Sequence, residues 1–209
     1  SASLLWSGGI SATVSQQPLI EGDYLATARI FNLSNTLNGT DLVVQDLHTG
    51  TILWQKQLPV NFSDSWRSRL TGLRDGRVYA TRSGNTNAEF LYALDVTNGN
   101  TLWQSQALIT ETSTEGISYA DDGDPITYGV NSVGRIDSVT GNTGWETPRS
   151  CPSSGGCDSA VFGNRVYVWE AGAMGPVVTA FDLISGARLY SSPGVVGGFV
   201  QQLGLFVGP

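Results

Sequence analysis

Lysine is nearly missing from this chain: Lys56 is the only one among 209 residues. The 11 basic residues stand against 18 acidic ones, for a formal charge of −7. No basic stripe is left to neutralise phosphates, which argues against nucleic-acid binding and against attraction to an anionic membrane surface. Histidine occurs once, as His48. A Ser-His-Asp triad or a histidine-rich metal site would have to be built on that one ring. No apolar run reaches the length of a membrane span. Ser1-Ala2-Ser3-Leu4-Leu5-Trp6 lacks the basic start of a secretion signal, although a cleaved signal would leave no trace in a mature chain.

Cysteine is also scarce. Cys151 and Cys157 bracket a Pro-Ser-Ser-Gly-Gly loop. The pair reads as a small disulfide loop in an oxidising compartment; the alternative is two free thiols in a cytosolic loop. Free cysteines are usually buried and this loop is polar, which favours the disulfide. Two thiolates alone do not make a zinc site.

Glycine, by contrast, is plentiful, with 26 residues, many of them at turn-like positions. Hydrophobic residues make up 40% of the chain, in the normal globular range. Four segments align without gaps. They run Leu42 to Trp54, Leu91 to Trp103, Val133 to Trp145 and Val178 to Tyr190. Each places an Asp, a Gly four residues later and an aromatic ring four later again. The sets are Asp46, Gly50, Trp54; Asp95, Gly99, Trp103; Asp137, Gly141, Trp145; and Asp182, Gly186, Tyr190. Successive aspartates, at 46, 95, 137 and 182, fall at the spacing of a four-stranded β-propeller blade. The apolar run before each Asp reads as a strand. The carboxylate accepts backbone N–H groups of the turn, the Gly supplies a positive φ, and the ring fills the wedge between blades. A weaker element precedes each unit: Gly22 before Tyr24, Gly76 before Val78, Gly163 before Val166 and Gly204 before Phe206. In the third unit its counterpart is Asp122-Gly123 before Ile126. No stretch carries helical periodicity.

Tyr92-Ala93-Leu94-Asp95 through Leu102-Trp103 resembles the repeat of the pyrroloquinoline-quinone (PQQ)-like propellers. That family includes quinoprotein alcohol dehydrogenases and the periplasmic lipoprotein of the outer-membrane β-barrel assembly machine. The resemblance implies an all-β fold over residues 1–209: one propeller domain or segment of about four PQQ-like repeats, each a four-stranded antiparallel blade. Both end blades read as incomplete. Leu5-Trp6 looks like the end of one repeat, and Gly204 opens a blade whose Asp would lie past residue 209. A longer propeller of about six to eight blades is favoured over a small ring closed by its own ends. Further blades from the same or another chain are a third possibility.

Chemistry is weakly marked. The quinone site of the family's dehydrogenases uses adjacent cysteines, a calcium ion and an aspartate base. Cys151 and Cys157 are not adjacent, and no ligand of that site transfers onto a matching position. Asp121, Asp122 and Asp124 crowd one loop and are a weak calcium candidate, without EF-hand spacing. Asn32-Leu-Ser34, Asn38-Gly-Thr40 and Asn61-Phe-Ser63 fit the glycosylation pattern, which matters only in a eukaryotic secretory protein. The sequence therefore points to a non-enzymatic, extracytoplasmic scaffold (periplasmic, cell-surface or secreted) that binds a protein or glycan and needs no cofactor. The alternative is a fragment of a quinoprotein-type dehydrogenase, with PQQ and calcium held outside these residues.

Overall fold

The computed structural model describes residues 13–14, 18–34, 37–58, 67–83, 88–105, 109–110, 117–128, 131–150, 159–173 and 175–192. They are β-strands and turns, with no helix among them. The chain divides into two compact units, Ser1–Gln104 and Ser105–Pro209.

The first unit holds two blades. Blade one contains β1 (Thr13–Val14), β2 (Leu19–Glu21), β3 (Tyr24–Ser34), β4 (Leu37–Asp46) and β5 (Ile52–Lys56). Its sheet order is β1-β3-β4-β5, with β2 also paired to β3, so the first strand of the blade is split in two. Blade two contains β6 (Arg67–Arg74), β7 (Arg77–Ser83), the short β8 (Ala88–Glu89), β9 (Leu91–Asp95) and β10 (Thr101–Gln104), its sheet running β6-β7-β9-β10. Residues Asp75 and Gly76 join β6 to β7 with φ of 51° and 72°. Two successive positive φ values make the tight hairpin turn whose twist matches that of the strands. The core between the blades comprises Ala26, Ala28, Leu42, Val44 and Trp54 from blade one against Leu70, Val78, Ala80, Tyr92 and Leu94 from blade two.

The second unit repeats the plan. After β11 (Ile109–Thr110), blade three runs β12 (Ser118–Tyr119), β13 (Pro125–Tyr128), β14 (Ser132–Ile136) and β15 (Thr143–Pro148). Blade four runs β16 (Ser159–Phe162), β17 (Arg165–Gly172), β18 (Gly175–Asp182) and β19 (Arg188–Ser191). Ile126, Val133 and Trp145 pack against Val166, Val168, Phe181 and Leu183. The all-β expectation of four-stranded antiparallel blades is met. Leu5-Trp6, Gly204–Val207, Cys151, Cys157 and Asn61–Ser63 lie outside the described residues.

A one-residue register shift recurs in the last strand of every blade. Gln45 pairs with Ile52 but Val44 with Trp54, and Leu94 pairs with Thr101 but Ala93 with Trp103. Likewise Ile136 pairs with Thr143 but Arg135 with Trp145, and Phe181 with Arg188 but Ala180 with Tyr190. The extra residue is Leu53, Leu102, Gly144 or Leu189, and each is exposed. This bulge turns the next residue, the aromatic one, onto the opposite face of the sheet.

Candidate functional site

Four turns repeat one hydrogen-bond pattern. Asp46 Oδ1 accepts the N–H of His48 at 3.0 Å, the N–H of Thr49 at 2.7 Å and the Thr49 hydroxyl at 2.8 Å. Asp137 does the same with Val139, Thr140 and the Thr140 hydroxyl, at 3.0, 2.7 and 2.8 Å. Asp182 repeats it with Ile184, Ser185 and the Ser185 hydroxyl, at 3.1, 2.8 and 2.7 Å. In the second blade the hydroxyl sits one residue earlier, on Thr97, and Asp95 accepts it with the N–H groups of Thr97 and Asn98. The N–H of each glycine then donates to the carbonyl of its own Asp at 2.8–2.9 Å. Gly50, Gly99, Gly141 and Gly186 have φ of 71–75°. These hydrogen bonds hold all four aspartates below the usual carboxylate range, led by the backbone bond of Thr49, Thr140 and Ser185 and by the Thr97 hydroxyl for Asp95. A carboxylate so engaged is a poor proton acceptor.

The aromatic of one blade sits on the turn of the next. The Trp54 indole N–H donates to the Val96 carbonyl at 2.7 Å, and that of Trp145 to the Leu183 carbonyl at 2.9 Å. A Cβ built on Gly99 would lie 2.8 Å from the Trp54 ring, and one on Gly186 2.5 Å from the Trp145 ring. The glycine is therefore required twice: for its backbone conformation and for the space the indole takes. Lys56 and Thr147 add hydrogen bonds to the carbonyls of Gly99 and Gly186.

The acidic loop of the third blade is tied to an arginine. Arg135 Nε donates to Asp124 at 2.9 Å, its Nη2 to Asp122 and its Nη1 to the Leu183 carbonyl at 3.2 Å. Asp124 also accepts the Ser138 N–H at 2.8 Å. Asp121 is exposed on the same turn. Two of the three carboxylates thus serve an ion pair, and no group of three or more His, Cys, Asp or Glu able to hold a metal occurs among the described residues. His48 Nε2 lies 2.8 Å from Asp23, clasping the two turns of blade one; this hydrogen bond and the Asp23 charge raise its pKa.

Sequence reading missed two arginine clusters. Arg188 clamps the carboxylate of Glu170, which is only 5% exposed, with Nη2 to Oε1 at 2.9 Å. Burial pushes the Glu170 pKa up, yet the hydrogen bonds from Arg188 and Thr179 and the nearby arginine charges prevail and lower it. The Arg188 guanidinium also lies 5.0 Å from the Phe181 ring. In the other cluster the Arg165 guanidinium lies 5.8 Å from the Tyr190 ring, and Tyr167 stands in the same cross-strand row as Tyr190. The signal was the shared Arg-Val-Tyr of Arg77–Tyr79 and Arg165–Tyr167.

The family described as outer membrane protein assembly factor BamB matches residues 1–128. The chain belongs to this family. No curated protein matches it in sequence. Among solved structures, BamB from Moraxella catarrhalis is similar, with a TM-score of 0.62, 17% identity, and 90% of this chain and 56% of that one covered. The quinohemoprotein alcohol dehydrogenase ADHIIG from Pseudomonas putida follows at 0.58 and 12%, with 86% and 34% covered. A europium-containing methanol dehydrogenase gives 0.58 and 10%, with 86% and 41% covered. At these identities the likeness establishes the PQQ-type propeller fold that BamB-family chains share with the dehydrogenases. The chain spans between 34% and 56% of the length of these three proteins. No helix among the described residues is long and apolar enough to cross a membrane.

Proposed function

We propose that this BamB-family chain is a non-enzymatic scaffold, working outside the cytoplasm and binding a protein partner through its blade surfaces. The observation that carries the reading is the use made of its ionisable groups. The four repeat aspartates hold turns, Asp122 and Asp124 hold Arg135, and Glu170 holds Arg188. Each of these described carboxylates is engaged in a turn or an ion pair. A family described as an outer membrane protein assembly factor agrees with a binding role in the cell envelope. A glycan is the other ligand class such a surface would take.

The test is cross-linking in the native source, followed by mass spectrometry of what is attached. The expected result is one or a few envelope proteins joined through this chain. The competing reading is a quinoprotein-type dehydrogenase with its cofactor outside these residues, favoured by the dehydrogenases among its structural neighbours. Dye-linked oxidation of alcohols or sugars that depends on added PQQ and calcium, with no cross-linked partner, would establish that reading instead.

A further inference from the structure

The turn after each repeat Asp has one position whose side chain the fold leaves unspecified. The second residue after the Asp gives the turn its N–H, and its side chain is exposed. In the first unit that residue is His48 or Thr97. In the second it is Val139 or Ile184, 71% and 73% exposed. Turns favour small polar residues, and the same turn forms around His48 and Thr97, so neither branched apolar chain is there for the turn. Phe162, 51% exposed, lies at the same end of blade four. The Leu183 N–H donates to the Asn164 carbonyl at 3.0 Å, which sets the β16–β17 turn beside Ile184. The ladder position of Phe162, opposite Arg165, is held in blade one by Glu21, opposite Tyr24. These turns are described throughout, and they lie at the end of the sheets from which β15 and β19 start.

A single exposed apolar chain is ordinary on a protein surface, but a group of them on neighbouring turns is the mark of an interaction site. The surroundings of this group are acidic. Asp124 accepts the Ser138 N–H, which sets the Asp121–Asp124 turn beside Val139, and Arg135 ties the same sheet to the Leu183 carbonyl. Asp121, Asp122, Asp124, Asp137 and Asp182 thus stand at this end against Arg135 and Arg165, while Arg188 is clamped on Glu170. Resting on the scaffold reading above, we propose that the turn end of the second unit docks the partner through Val139, Phe162 and Ile184, and that the partner offers a segment whose aliphatic or aromatic side chains are flanked by Lys or Arg. The apolar chains supply the buried contact and the aspartates around them select the charge of what approaches. A second copy of this chain, with a formal charge of −7 and one lysine, is a poor fit to that surface.

Photo-cross-linking of the intact protein in its native source tests the surface. The probe is benzoylphenylalanine in place of Ile184, of Val139 or, as the control on the first unit, of His48. The expected result is one protein attached from positions 184 and 139 and not from 48, through a peptide that carries Lys or Arg beside its apolar residues. Equal attachment from all three positions overturns the proposal. So does attachment through an acidic peptide, within the chain itself, or to a second copy of it. No attachment from any of the three, while cross-linking over the whole chain still captures a partner, overturns this surface and leaves the scaffold reading standing; no partner by either route defeats both. A second measurement uses the double variant Val139→Thr, Ile184→Thr, which gives the second unit a residue type the first already uses. It is expected to keep the parent's Tm and to weaken binding of the identified partner by about tenfold. A Tm several degrees lower with binding unchanged would show that these chains serve the fold, and would overturn the proposal as well.

Discussion

Gly99 and Gly163 both have positive φ, 72° and 55°, yet they do different work. A methyl group at Gly163 meets nothing within 4 Å, while one at Gly99 meets the Trp54 ring at 2.8 Å. Gly163→Ala is expected to cost only the backbone strain, about 1–2 kcal/mol. Gly99→Ala should cost that and also displace the indole from its hydrogen bond to Val96, approaching the about 3–5 kcal/mol of Trp54→Ala. Urea unfolding of the three variants measures the order. The repeat aspartates give a second expectation. Their folded pKa lies below the unfolded value, so the stability they add is complete above about pH 4 and is lost as pH falls through the lowered folded value. Unfolding midpoints should therefore drop on acidification below about pH 4. Asp95→Asn should flatten that dependence, since its amide oxygen accepts the same hydrogen bonds without titrating.

The blade was legible in the sequence because its key interactions are local. Asp, Thr or Ser and Gly within five residues make a turn that needs no distant partner, so Asp46 to Gly50 can be read from one line of text. The bulge before each aromatic is written in the same spacing, but it is visible only once the strand registers place Leu53, Leu102, Gly144 and Leu189 outside the ladder. Long-range charge pairs were not legible. Arg135 reaches Asp122 and Asp124 from the next strand but one, and Arg188 reaches Glu170 across β18; no motif marks either. The Arg188 pair yields its own expectation at this scale. Arg188→Met strands a nearly buried carboxylate and should destabilise the protein by about 1–3 kcal/mol at neutral pH. Because burial then raises the Glu170 pKa unopposed by its clamp, the penalty should shrink as pH falls and the carboxylate takes a proton. Denaturation of parent and variant across the acid range shows whether the two curves converge.

At the scale of the whole molecule, fold and family were open to the sequence because a period repeated four times outweighs any single substitution. Ligand and partner were not, since a binding surface on a propeller need not recur from blade to blade. Compartment can be probed directly. The extracytoplasmic reading expects Cys151 and Cys157 to resist alkylation in the unfolded protein until a reductant is added. Immediate labelling of both in protein taken from its source would place the chain in a reducing environment. The joint between blades carries one more consequence. Its ring closes one repeat and its glycine belongs to the following one. A stretch of DNA encoding one period, copied in frame, would arrive with a ring to give forward and a glycine to receive the ring behind it. Such a gene can lengthen or shorten by whole units without inventing a new contact, and its lineage is free to vary blade number before function settles on one.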